Sequence, residues 1–182
     1  MVVVRPAVLP KDAAGIGAIG TSFTTSQVYD VDASADSIRL TIRDLEGPFC
    51  KRFPLDDLES PTRPYDRAWV AVDGERIVGF AAIAFEPWND RLILWHLYVD
   101  PASRGRGVAS RLLETVKDHG RERGARHLWL ETSSLTAPGH RRLPRLGLLP
   151  DRRRPDLVRG DAGARRNRPV LFPPPRPVPL YV

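Results

Sequence analysis

The stretch Asp100-Pro101-Ala102-Ser103-Arg104-Gly105-Arg106-Gly107-Val108-Ala109 gathers glycines and arginines at one junction, a composition suited to holding an anion. Upstream, Leu92-Ile93-Leu94-Trp95-His96-Leu97-Tyr98-Val99 is a nearly continuous apolar run, which predicts a strand buried on both faces. Downstream, Val108, Leu112, Leu113 and Val116 share one helical face, and Gly124 stands where a helix needs a left-handed terminator. Glycines between such a strand and helix let the backbone turn sharply and aim successive N–H groups outward, at the positive end of the helix dipole. Arg104 and Arg106 add charge-assisted donors that suit a pyrophosphate. The bland alternative is a tight strand–helix turn with solvated arginines, and these residues alone leave both readings open.

Such a loop needs a sheet to carry it. Val2-Val3-Val4-Arg5 is a short β-rich run ended by Pro6 and Pro10, and Asp12-Ala13-Ala14 opens a helix whose free amides Asp12 can cap. The segment from about Thr21 to Pro64 has Ser, Thr and Asp clusters, an Ile38, Leu40, Ile42, Leu45 run and then Pro48, Pro54, Pro61 and Pro64. This predicts a weakly periodic second helix followed by a long irregular connection. Trp69-Val70-Ala71-Val72, Asp73-Gly74 and Ile77 to Ala84 read as a hairpin, strands two and three. The apolar run is then the central strand four, helix three follows, and Arg126 to Thr132 is strand five. Trp69, Trp95 and Trp129 lie in apolar strands and read as core.

At 182 residues the chain is long enough for one domain of ordinary size. No long apolar window and no signal-like start is present, so a soluble cytoplasmic protein without a membrane partner is expected. The single cysteine, Cys50, excludes an internal disulfide and leaves no cluster for a structural metal. The formal charge of +6 is not evenly spread: residues 140–182 hold 11 Arg and 3 acidic residues, whereas residues 1–139 hold 17 basic and 19 acidic ones. The basic character belongs to the tail, which weakens a nucleic-acid reading of the whole chain.

Arg104-Gly105-Arg106-Gly107-Val108-Ala109, preceded by a strand ending Val-Asp-Pro and followed by an amphipathic helix and a Leu-Glu-Thr strand, resembles the acyl-CoA N-acyltransferases of the GNAT superfamily. Their pattern is Arg/Gln-x-x-Gly-x-Gly/Ala. With strands one to three in order, the resemblance covers about 135 residues. Thr21-Ser22-Phe23-Thr24-Thr25 and Leu130-Glu131-Thr132 are similar to the streptothricin-acetyltransferase-like branch. The resemblance implies an α/β fold with a mixed, mainly antiparallel sheet flanked by helices. It also implies acetyl-CoA as cosubstrate and an amine of a small molecule as acceptor. The pantetheine arm would pair along the main chain of Leu97, Tyr98 and Val99, and the pyrophosphate would rest on the amides of Arg104, Gly105, Arg106, Gly107, Val108 and Ala109. A strand amide, that of Val99, would steady the oxyanion of the attacked thioester. No metal and no covalent enzyme intermediate is implied, and a homodimer is left open.

An alkylamine with a pKa of about 10.4 is mostly protonated at neutral pH and must lose a proton before it attacks. Two side chains qualify by position as a base, His96 on strand four and Glu131 on strand five. Their bland readings are a packed core histidine and a carboxylate anchoring the next loop.

After strand five the superfamily pattern has a helix carrying a tyrosine, then Gly-Phe. Here the register gives Leu143, Gly147 and Leu148, with Pro144 and Pro150 breaking any helix. Residues 140–182 contain 9 Pro and 11 Arg and no Ile, Lys or Glu, a composition not expected to build a last helix and two strands. One permitted back-translation of the tail, read one base later, places tyrosine where Leu143 stands and Gly-Phe where Gly147-Leu148 stand. The expected organisation is therefore a core over residues 1–139 and an Arg/Pro-rich tail over 140–182, disordered or out of frame. The competing readings are an impaired enzyme and a basic-tailed nucleic-acid binder.

Overall fold

The structure is a computed structural model, and it describes residues 1–33, 38–130, 132, 149–151 and 154–159. Five strands form one sheet in the order β1-β4-β5-β6-β7. β1 (Val2–Pro6), β4 (Arg67–Asp73), β5 (Arg76–Glu86) and β6 (Arg91–Val99) pair antiparallel in turn, and β7 (His127–Leu130) joins β6 in parallel. The sheet is thus mixed and mainly antiparallel. The Asp73-Gly74 turn joins β4 to β5, with Gly74 at φ 62°.

Both faces of β5 are covered because its residues alternate between two cores. Ala81 and Ile83 face α2 (Val108–Glu122), where Val108, Leu112, Leu113 and Val116 are at most 1% exposed. Burying each of these side chains stabilises by roughly 1.5–3 kcal/mol. The helix lies so close that a Cβ on Gly79 would sit 2.9 Å from Val108 Cγ1 and 3.0 Å from Leu112 Cδ1. Phe80 and Ala82 face the other way, against Ile16 of the short α1 (Ala13–Gly17), Ile19, Leu58 and Tyr65. Gly124 takes φ 76° just beyond α2, in the left-handed conformation expected of it.

Three expectations are corrected. Asp12 caps no amide of α1; its carboxylate instead takes Val8 N–H at 2.7 Å and both guanidinium nitrogens of Arg5 at 2.7 and 2.8 Å. That pairing holds Asp12 down at about 2. The second helix does not exist: β2 (Phe23–Ala33) and β3 (Ile38–Lys51) form a long antiparallel hairpin with Tyr29 opposite Ile42. Ile38, Leu40 and Ile42 are spaced by two, a strand period, and the partner strand carries the β-branched Thr24, Thr25, Val28 and Val31. In the tail, β8 (Leu149–Asp151) and β9 (Arg154–Arg159) form a two-stranded sheet of their own with β9 against β7, where no strand was expected. Three-residue β8 needs little β propensity of its own, because cross-strand pairing supplies the order.

Candidate active site

β6 is paired differently on its two edges. Toward β5 the pairing spans Arg91 to Val99, but toward β7 it spans only Arg91 to Leu94, ending at Leu94 opposite Leu130. Among the described residues the β7-facing edge from Trp95 to Val99 has no strand partner. On the β5 side Ala82 opposes His96 while Ile83 opposes Leu94, so Trp95 is an extra residue, a bulge in the strand at this point. Trp95 is therefore 42% exposed and not core, and the second half of β6 is only partly buried. An unpaired row of main-chain groups is a template for any extended ligand that brings its own amides.

The free edge leads into the glycine loop. Asp100 is buried, accepts from Ala102 N–H at 3.1 Å and pairs with Arg76, which fixes the turn Pro101–Ser103. Gly105 and Gly107 then take φ 80° and 77°, and Gly107 is the N-cap of α2. The first bond into the helix runs from Arg111 N–H to Gly107 O, so the amides of Val108, Ala109 and Ser110 have no partner within it. A Cβ at Gly105 or Gly107 would meet nothing within 4 Å, so glycine is required by conformation and the space outside is open. Outward amides, a helix N-terminus and open space fit a pyrophosphate.

Both arginines beside the loop have protein partners. Arg104 Nε donates to Val99 O at 3.0 Å and its NH2 group to Gly20 O and Ser22 O, so its side chain ties the end of β6 to the loop before β2. Arg106 pairs with Asp73 at 3.2 Å. In this arrangement the carbonyls of the tight loop hold the donors of Arg104 that a phosphate would otherwise take.

His96 does lie beside this edge, on the face opposite α2. Its Nε2 is 2.8 Å from Asp57 Oδ2, and its Nδ1 is buried with no hydrogen-bond partner among the described residues. The ring sits among Tyr65, Phe80 and Tyr98, with centroids 5.4 to 5.8 Å away. Burial, with the charge of Asp57 second, pushes the Tyr65 and Tyr98 hydroxyls up to about 12. The Tyr65 hydroxyl is itself buried without a partner. Glu131, the other expected base, lies outside the described residues. Asp57 and Tyr65 were missed because they come from the Pro-rich connection, 39 and 31 positions from His96, where no periodicity marks a facing residue.

The chain matches the model of the Acetyltransferase (GNAT) family over residues 37–148. It is 39% identical over 146 residues to a streptothricin acetyltransferase of Streptomyces lavendulae, spanning 76% of this chain and 77% of that protein. The crystal structure of a nourseothricin acetyltransferase superposes with a TM-score of 0.70 at 35% identity, over 81% of this chain and 83% of that one. A Bacillus anthracis protein in complex with acetyl coenzyme A shares the fold, with a TM-score of 0.68 at 21% identity over 82% and 85% of the two chains.

Proposed function

The chain belongs to the GNAT acetyltransferase family, and from that premise we propose that it moves an acetyl group from acetyl-CoA to a primary amine of a small molecule of the streptothricin kind. The observation that carries this reading is the edge of β6 that is unpaired among the described residues and leads into the left-handed Gly105–Gly107 loop at the start of α2. Main-chain groups of Leu97, Tyr98 and Val99 would hold the pantetheine amides, and the amides from Arg104 to Ala109 the pyrophosphate. The thioester would then end beside the β6 face that carries His96. The amine nitrogen bonds to the thioester carbon, the carbon–sulfur bond breaks, and the thiolate leaves and takes up a proton. The amine's surplus proton leaves toward a base, the role for which the sequence offers Glu131; His96, with Nε2 on Asp57 and Nδ1 buried, stands behind the site. The relative named for streptothricin, the nourseothricin acetyltransferase structure and the acetyl-CoA complex of a structural neighbour support the two substrates.

Incubating the full chain with acetyl-CoA and streptothricin tests this, with mass spectrometry reading the acceptor. Acetylated streptothricin is the expected product, and its absence while a control acetyltransferase turns over rejects the acceptor.

A second reading is an impaired member of the family, favoured by Leu143 at the register of a proton-donating tyrosine. Leu128 and Leu130 are buried, at 7% and 8% exposure, in the core against α2, so any stability gained from a family-like tail must come from residues beyond β7. A chain carrying the shifted-frame tail is then expected to melt higher and turn over faster. Equal melting and equal turnover would remove the frameshift explanation.

A further inference from the structure

The pair Asp57–His96 presents its two members unequally. The side chain of His96 is 12% exposed and that of Asp57 27%. With Nε2 spent on Asp57 and Nδ1 buried among the rings of Tyr65, Phe80 and Tyr98, His96 offers no nitrogen to an incoming amine. Asp57 has one oxygen committed to His96 and, among the described residues, no arginine or lysine paired with it. A carboxylate held from behind, partly open and not neutralised by a cation, is a site for a cationic group.

Its surroundings agree. Phe53 stacks toward Phe23 at 5.9 Å and leans on Tyr98 at 6.0 Å, while Tyr98 in turn meets His96. These rings form an aromatic row along the same face, and such faces attract ammonium groups, as that of Lys51, 5.1 Å from the Phe53 centroid, already shows at the outer ring. Tyr98 belongs to the half of β6 whose other edge is unpaired, so the row and the thioester position share one strand segment.

We propose that Asp57 is the specificity-determining residue of the acceptor site: its carboxylate, positioned by His96, receives a primary ammonium of the acceptor beside Tyr98 and Phe53. This rests on the acetyltransferase reading for the place of the thioester, but the binding of the amine can be read apart from it. His96 is in this account a positioning residue.

The experiment is calorimetry of streptothricin with the full chain, with and without CoA, on the parent, Asp57→Asn and Asp57→Glu, beside acetyl-CoA titrations and thermal melts. A lost charged hydrogen bond of about 1.5–3 kcal/mol corresponds to an affinity loss of about 10- to 150-fold. That loss is expected for Asp57→Asn toward streptothricin alone, with acetyl-CoA affinity and melting unchanged, and Asp57→Glu is expected to keep most of the parent's affinity. Where turnover is measured, the loss should fall on the KM for the amine and leave kcat within about threefold, the range in which an interaction common to ground and transition states acts. Asp57→Asn binding the amine within twofold of the parent overturns the inference, as does an equal loss for Asn and Glu. A parent that binds acetyl-CoA but not streptothricin overturns it too. A parent that binds streptothricin through Asp57 but no acetyl-CoA leaves the inference standing and sinks the acetyltransferase reading.

Discussion

The two sides of the candidate site are built from different materials. On the cosubstrate side, β6, the glycine loop and the start of α2 are contiguous in sequence and expose main-chain groups, with side chains turned away into the α2 core or onto neighbouring carbonyls. On the acceptor side, Asp57 and Tyr65 come from the proline-rich connection and His96 and Tyr98 from β6, and it is their side chains that meet, with Asp57 partly open. A site made of backbone is set by conformation and tolerates exchange of side chains. A site made of side chains is set by packing, and single exchanges change what it accepts.

The sharpest way to break this contrast is Gly107→Val. At φ 77° a β-branched residue is strained, and its bulk would stand in the open space before the α2 amides. Acetyl-CoA affinity measured by calorimetry is expected to fall by 100-fold or more, on the order of 3 kcal/mol. Leu97→Met, by contrast, should leave it within about threefold, since only the main chain of that residue is used.

A second exchange tests the seat of α2. Gly79→Ala puts a methyl 2.9 Å from Val108 and 3.0 Å from Leu112, both fully buried and unable to yield cheaply. Overpacking of this kind costs about 1–3 kcal/mol. Thermal melting should show it, together with a weaker hold on acetyl-CoA, because the helix N-terminus moves with the helix. An unchanged melt would mean that α2 packs less closely than described.

The smallest effect is on the acceptor side. Tyr65 and Tyr98 have hydroxyls raised to about 12 in the fold, so the unfolded chain, with tyrosines near the ordinary value of about 10, ionises first. Their contribution to stability is present below about pH 10 and is lost as pH rises toward 12. Alkaline melts of the parent should therefore fall more steeply over that range than those of a Tyr65→Phe, Tyr98→Phe double variant. Identical slopes would show that the rings are more open to water.

The same contrast explains what the amino-acid sequence reveals. The α2 face, the Asp73-Gly74 turn, the central strand and the glycine loop are all local: period, turn chemistry and a required positive φ sit within a few residues of each other. Three things were not legible. The β2–β3 hairpin was read as helix because Ile38, Leu40, Ile42 and Leu45 mix two spacings, and pairing across the hairpin decided between them. Trp95 was read as core because a one-residue bulge is invisible in an apolar run. Asp57 lies in a proline-rich connection whose position over β6 depends on Leu58 and Tyr65 packing onto Phe80, long-range contacts that no local pattern announces.

Hydrogen–deuterium exchange of the full chain with and without acetyl-CoA tests the central claim most directly, because it reads main-chain amides themselves. Protection on adding acetyl-CoA is expected in the second half of β6, from Leu97 to Val99, and in the loop and first helical turn from Gly105 to Ser110, with β1 and the β2–β3 hairpin unchanged. Binding without protection of those amides, or with protection centred elsewhere, would contradict it.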